Sequence, residues 1–172
     1  MSQNKDLNAL LQEYREFIAG FKTVLIASTS ANHVPEASYA PYAELDGKYY
    51  IFISELALHT QNLLQTNICS LLFIEDEEKT NNLFARKRVS LQCSAEELAS
   101  NHANYQPVLA LFHERFGKFM QFLQTLPDFH LFCLSPSSGN YVAGFGKAYG
   151  LSGSDLNQLQ HRNPETGNVR PS

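Results

Sequence analysis

Between Lys22 and Ser54 apolar and polar residues alternate in three short runs, and the two breaks between them, Ala31-Asn32-His33 and Asp46-Gly47, are built from turn-forming residues. Alternation at period two gives each run one face for a core and one for water, and breaks this short join neighbours as antiparallel hairpins. Strands over Lys22–Ser30, Val34–Tyr42 and Tyr49–Ser54 therefore open the fold. A meander of this kind leaves unpaired edges, which a chain must cover or close.

The flanking segments supply the means. Leu7, Leu10, Leu11, Tyr14, Phe17 and Ile18 recur at helical spacing before a stop at Gly20. Glu55 to Gln65 reads as a short helix with Leu56, Leu63 and Leu64 inward, and Ile68 to Ile74 as a strand. A strand over Arg86–Ser94 precedes the longest helix, Asn104–Leu123, whose first turn tolerates Pro107 and whose apolar face is Val108, Phe112, Phe116, Phe119 and Leu123. Strands over Asp128–Ser135 and Asn140–Ala148, with a turn at Ser135-Pro136-Ser137-Ser138-Gly139 between them, and a short helix near Ser154 complete the order. The order predicts an α+β, mainly β fold: an antiparallel barrel with flanking helices, in which closure hides the sheet edges. A single domain is expected over residues 1–150, followed by a C-terminal helix and flexible tail over 151–172, where Gly153, Pro164, Gly167 and Pro171 interrupt any regular pattern.

Composition narrows the partners. The 172 residues are 44% hydrophobic and 17% charged, in the range of globular chains, and no apolar run reaches the length of a membrane span. The net charge of −4 and the lack of a long basic run argue against nucleic acid. Met1 to Asp6 lead into an amphipathic segment rather than an apolar signal core, so a cytoplasmic location is expected. Cys69, Cys93 and Cys133 sit in apolar runs without Cys-x-x-Cys spacing and read as reduced core thiols. Tyr39, Tyr42 and Phe84 are expected at an interface between subunits across the barrel flank.

Two segments stand out chemically. Gly139-Asn140-Tyr141-Val142-Ala143-Gly144-Phe145-Gly146-Lys147-Ala148-Tyr149 combines strand alternation with glycines, which suggests either a bend at a barrel corner or a strand approached closely by a ligand. It is no dinucleotide fingerprint, since Gly144-Phe145-Gly146 is not followed by a third glycine opening a helix. Arg86-Lys87-Arg88 places three cations at a strand start; alternation sends Arg86 and Arg88 to one face, where they could clamp a phosphate or carboxylate, the plain alternative being a solvated strand end. Among the six histidines, His33, His59, His102, His113, His130 and His161, no pair has zinc spacing. Neither a nucleophile elbow nor a phosphate-binding P-loop occurs.

Taken together, Ser38-Tyr39-Ala40-Pro41, Ile74-Glu75-Asp76-Glu77, Leu83-Phe84-Ala85-Arg86-Lys87-Arg88, Glu114-Arg115-Phe116-Gly117, Asp128-Phe129 with Leu131-Phe132, and Gly144-Phe145-Gly146-Lys147-Ala148-Tyr149 resemble the haem-utilisation proteins of the HugZ/HutZ type, within the pyridoxamine-phosphate-oxidase-like superfamily. The resemblance covers nearly the whole chain. It implies an antiparallel split β-barrel of the FMN-binding type, assembled as a homodimer, that binds haem and cleaves it oxidatively with dioxygen and an external electron donor. It implies a tail histidine as iron ligand, here His161, and Asp128 as the carboxylate that supports it. In the haem reading Arg86 and Arg88 could hold propionates, and Gly144, Phe145 and Gly146 could lie flat against the macrocycle. The tail departs from the family's Gly-His-Arg, reading Gly167-Asn168-Val169-Arg170. Either His161 substitutes, or haem binds otherwise, or the scaffold persists without haem chemistry. FMN, its phosphate held by Lys87 and Arg88, is the alternative cofactor, and a haem carrier without turnover the alternative activity.

Overall fold

The computed structural model describes residues 2–162, with side chains from Leu7 onward. The opening alternation becomes β1 (Thr23–Thr29), β2 (Pro35–Leu45) and β3 (Lys48–Ser54), paired antiparallel with Leu25 opposite Tyr39 and Ala43 opposite Tyr50. Val24, Ile26 and Ser28 of β1 are buried while Thr23, Leu25 and Ala27 are exposed. Both turns use positive φ, at His33 (61°) and at Asp46 (52°) with Gly47 (72°), residue types that tolerate the left-handed region.

Helix α1 (Ser2–Ala19) ends at Gly20, whose N–H bonds the Glu16 carbonyl at 3.2 Å. After β3 come α2 (Leu58–Thr66), β4 (Ile68–Ile74), β5 (Arg88–Glu97), α3 (Tyr105–Phe116), α4 (Phe119–Leu123), β6 (Phe129–Gly144), β7 (Lys147–Ser152) and β8 (Gln158–Arg162). The sheet runs in the order β3-β2-β1-β4-β5-β6-β7-β8. Because β3 also pairs with β6, from Tyr49 opposite Leu134 to Ser54 opposite Phe129, the first six strands close into an antiparallel barrel with flanking helices, as the alternation and the edge problem predict. No helix among the described residues is long and apolar enough to cross a membrane.

Two compact units can be distinguished. One comprises Lys22–Leu71 and Gln92–Pro136. Its core joins Ala43, Tyr50 and Phe52 of the sheet to Val108, Leu109 and Phe112 of α3, Met120 of α4, and Leu131 and Cys133 of β6. The Arg115 guanidinium lies 5.0 Å from the Tyr42 ring centroid, and burial pushes the Tyr42 hydroxyl up to about 12. The other unit comprises the described residues of Met1–Phe21, Leu72–Leu91 and Ser137–Ser172. Its buried members include Tyr14, Ile18, Phe73, Tyr141, Leu151 and Leu156, with the Tyr14 hydroxyl on the Leu156 carbonyl at 3.3 Å.

Several expectations are corrected. The strands expected on either side of Ser135–Gly139 are one strand, β6, of 16 residues; the turn lies at Gly144–Lys147 instead. Pro136 is tolerated inside it because β6 pairs with β3 through Leu134 and with β7 only from Gly139, so the missing N–H falls between the two ladders. The long helix is broken at Gly117 into α3 and α4, which leaves Phe119 exposed. Leu56 and Leu64 face outward, and only Leu63 of that trio is buried. Tyr42 is a core residue rather than an interface one, whereas Tyr39 and Phe84 are exposed. The helix near Ser154 is a single 3-10 turn, Ser154–Leu156, followed by β8. The tail from residue 163, with Pro164, Gly167, Asn168, Val169, Arg170 and Pro171, lies outside the described residues.

The glycine that a neighbouring backbone needs is Gly139. A Cβ there would come within 2.7 Å of both the Ser90 carbonyl oxygen and a Leu91 methyl. Gly139→Ala is therefore expected to destabilise the protein by about 1–3 kcal/mol, read as a lower urea midpoint with an unchanged slope.

Candidate functional site

The strand expected to lie along a ligand is a hairpin tip. β6 and β7 pair through Val142 opposite Ala148, the register shifts, and Gly144 then faces Lys147. Gly144 (φ 152°) and Gly146 (φ 70°) turn the chain, and no atom lies within 4 Å of a Cβ built on either, so conformation rather than crowding demands glycine here. Phe145 between them is 83% exposed. β8 runs beside β7 with His161 opposite Tyr149, and the Arg162 guanidinium donates to Asn140 Oδ1 at 2.5 Å. His161 is exposed. Its Nε2 sits 3.2 Å from the Gly146 carbonyl, an acceptor only, so Nε2 donates, and Nδ1 has no hydrogen-bond partner among the described residues. The Tyr149 ring lies edge-on to the imidazole at 5.2 Å. Thus Gly146 and His161, singled out separately in the sequence, are brought together, and Phe145 beside them is left bare.

Beneath the hairpin lies a set the sequence did not suggest. The Tyr141 hydroxyl donates to Glu13 Oε1 at 2.9 Å, and Lys87 Nζ donates to the same oxygen at 2.7 Å. The Lys87 hydrogen bond holds Glu13 below its ordinary value, while burial and the Glu13 carboxylate push the Tyr141 hydroxyl up. Glu13 stands 128 residues from Tyr141 and 74 from Lys87, and no local pattern announces so distant a partner.

The cation run is arranged differently from a strand-face clamp. β5 begins at Arg88, so Arg86 and Lys87 precede the alternation that was to sort them. Both Nε and Nη2 of Arg86 donate to the Glu75 carbonyl and Nη1 pairs with Glu77, so Arg86 fastens the acidic loop. Lys87 is committed to Glu13, and Arg88 spends one N–H on the Arg86 carbonyl at 3.0 Å.

Asp128 belongs to the other unit. Its Oδ2 accepts the Ser54 hydroxyl at 2.5 Å and its carbonyl accepts the Glu55 N–H at 2.8 Å, which pins the start of β6 to the end of β3. Two residues on, His130 lies between two carboxylates, Nδ1 at 2.5 Å from Glu97 and Nε2 at 2.6 Å from Glu55. Carboxylates only accept, so both ring nitrogens are protonated and the ring is an imidazolium. Burial opposes that charge, yet the bonds to Glu97 and Glu55 outweigh it and raise the His130 value above 6.5. His59 is buried with Nε2 unpartnered, and burial lowers its affinity for a proton. The three cysteines are free and buried, and the Cys69 thiol together with burial pushes Cys93 far up, which makes it inert as a nucleophile. A groove of about 350 Å³ between α1 and β7–β8 is lined by Leu7, Asn8, Leu11, Ser152, Leu159 and Gln160 among others.

A closed six-stranded antiparallel barrel carrying a β6–β7–β8 extension is the split-barrel architecture. The chain belongs to the pyridoxamine 5'-phosphate oxidase family, whose profile matches residues 10–143, and within it to the HutZ type. It is 37% identical over 161 residues to heme oxygenase HutZ of Vibrio cholerae, covering 94% of this chain and 92% of that protein. The crystal structure of HutZ, the heme storage protein from Vibrio cholerae, aligns with TM-score 0.70 and 36% identity over 73% of this chain and 89% of that one. Campylobacter jejuni ChuZ aligns with TM-score 0.81 and 29% identity over 91% of this chain and 65% of its own.

The His130 clasp has a defined pH dependence. A histidine whose native pKa is raised contributes stability that is complete below the unfolded value near 6.5 and is lost as pH rises through the native value. The denaturation midpoint of the native protein is expected to fall over that interval, and His130→Gln to remove this component of the slope. A midpoint profile identical in the two proteins would contradict the doubly bonded imidazolium.

Proposed function

We propose that this protein binds haem and degrades it oxidatively, with dioxygen and an external electron donor, releasing iron. The observation that carries the reading is likeness to heme oxygenase HutZ along almost the entire length of both chains. The residues fit the group: His161 is an exposed imidazole whose proton-bearing nitrogen is held by a carbonyl while the other stays open, the arrangement that orients a histidine for a metal. Bound haem would supply the iron at which dioxygen reacts with the porphyrin. The chain's own part is to hold and orient it. His161 would ligate the iron, Phe145 at the hairpin tip would cover porphyrin surface, and Arg88, with donors to spare, and exposed Lys147 would meet the propionates. Arg86 and Lys87 are already engaged within the fold and are assigned to scaffolding instead. The Gly146 carbonyl would give the His161 imidazole the support that the resemblance assigns to Asp128, whose Oδ2 accepts the Ser54 hydroxyl.

FMN is the second reading, favoured by the family to which the chain belongs. A phosphate at Lys87 would have to displace Glu13, which weighs against it. The Vibrio relative goes by both oxygenase and storage protein, so binding and turnover need separate measurement. Haemin titration of the cofactor-free protein is expected to give a saturable Soret shift at one haem per subunit that His161→Ala abolishes. Loss of haem colour on adding reductant in air would then identify turnover, and persistence a carrier. No saturable shift, with flavin fluorescence quenched on adding FMN instead, would overturn the haem reading.

A homodimer in the cytoplasm completes the proposal. Leu25 and Tyr39 face each other on the outer side of β1 and β2 and are 45% and 65% exposed, an apolar pair that a second copy would cover. Leu25→Asp with Tyr39→Asp is expected to halve the mass measured by light scattering while leaving the far-ultraviolet spectrum intact; an unchanged mass would move the interface elsewhere.

A further inference from the structure

Four aromatic rings follow one another inward from the exposed imidazole. His161 is edge-on to Tyr149 at 5.2 Å, Tyr149 stacks on Tyr141 at 6.3 Å and 29°, and Tyr141 tilts against Tyr14 at 6.1 Å. At such centroid separations the rings are in or near van der Waals contact. The series runs from a solvent-exposed residue to a phenol that is fully buried. Packing alone does not call for this composition. Phenylalanine at position 141 would fill nearly the same volume without burying a hydroxyl, and no apolar core needs a carboxylate against it.

The Glu13 carboxylate changes what Tyr141 can do. A phenol releases an electron readily only when its proton leaves with it, because the oxidised phenol is a far stronger acid than any carboxylic acid. Glu13 Oε1, 2.9 Å from the hydroxyl, accepts that proton directly, and Lys87 at 2.7 Å keeps the carboxylate ionised and in place.

We propose that Tyr149 and Tyr141 form an electron relay that carries oxidising equivalents away from haem bound at His161, with Tyr141 as electron donor and Glu13 as its proton acceptor. This rests on the haem reading above. In the step, the Tyr141 O–H bond breaks, one electron passes through the Tyr149 ring to haem that hydrogen peroxide has oxidised, and the proton goes to Glu13. The products are a neutral phenoxyl radical, a carboxylic acid and haem reduced by one electron. A haem protein exposed to peroxide in the absence of its electron donor would by this route spare the porphyrin and the exposed side chains around it.

The test uses full-length protein loaded with haem, ligation by His161 having first been read from the Soret titration, mixed with hydrogen peroxide and frozen for electron paramagnetic resonance. A tyrosyl radical is expected in the native protein. Tyr141→Phe, which keeps the ring and hence the packing, is expected to lose that signal. Glu13→Gln, which keeps the phenol and removes the proton acceptor, is expected to lose most of it. Equal signals in the native protein and Tyr141→Phe, or no tyrosyl signal in native protein ligated through His161, overturn the relay and leave haem binding standing. Failure of the Soret titration, visible before peroxide is added, removes the haem reading and the relay with it.

Discussion

The pairing of β3 with β6 is the contact on which the rest depends. A six-strand antiparallel sheet left open would expose two edges of unsatisfied N–H and C=O groups, and the meander from β1 to β3 has no other partner for the free side of β3. Closing it from Tyr49–Leu134 to Ser54–Phe129 satisfies those groups. It also brings the Tyr50 and Phe52 rings onto the core beneath α3 and α4. At the end of the same ladder, Asp128 meets Ser54 and Glu55, and His130 meets Glu55 and Glu97. Polar clasps therefore sit where the barrel ladder runs out and backbone bonds can no longer hold the strands in register.

The length of β6 is the second constraint. Its first part completes the barrel ladder and its last part forms the hairpin with β7, so one continuous strand serves two ladders. The hairpin in turn gives β8 an edge to add to, and that addition sets His161 opposite Tyr149 and next to the Gly146 carbonyl. An exposed imidazole on a loose chain end would sample many orientations. On β8 it is held from one side, by the Tyr149 ring and the Gly146 carbonyl, which narrows the orientations the ring can take.

Charge is distributed by the same logic. Of the three clustered cations, Arg86 closes a loop onto Glu75 and Glu77, Lys87 neutralises the half-buried Glu13, and only Arg88 keeps most of its donors. The run resembles an anion clamp in one dimension because such clamps and loop fasteners use the same residue types. What separates them is whether the carboxylates and carbonyls of the fold reach the cations first.

The barrel is legible in the chain's local patterns. Period-two alternation, helical spacing in α1 and the turn residues at His33 and Asp46-Gly47 are local signals, and local sterics with burial are enough to read them. Motif resemblance singled out Gly146 and Asp128, which lie in recognisable stretches, and pointed to His161 as the one histidine of residues 151–172. That Ser135–Gly139 continues a strand is legible only in three dimensions, since a Pro, three serines and a Gly read as a turn until the change of pairing partner around Pro136 is known. Only the fold could join Glu13 to Lys87 and Tyr141, or His130 to Glu55 and Glu97, for these partners are far apart in the chain. Alternation says which face a side chain takes; which distant group waits on that face is settled by strand register and closure, and no local pattern in the sequence encodes that distance.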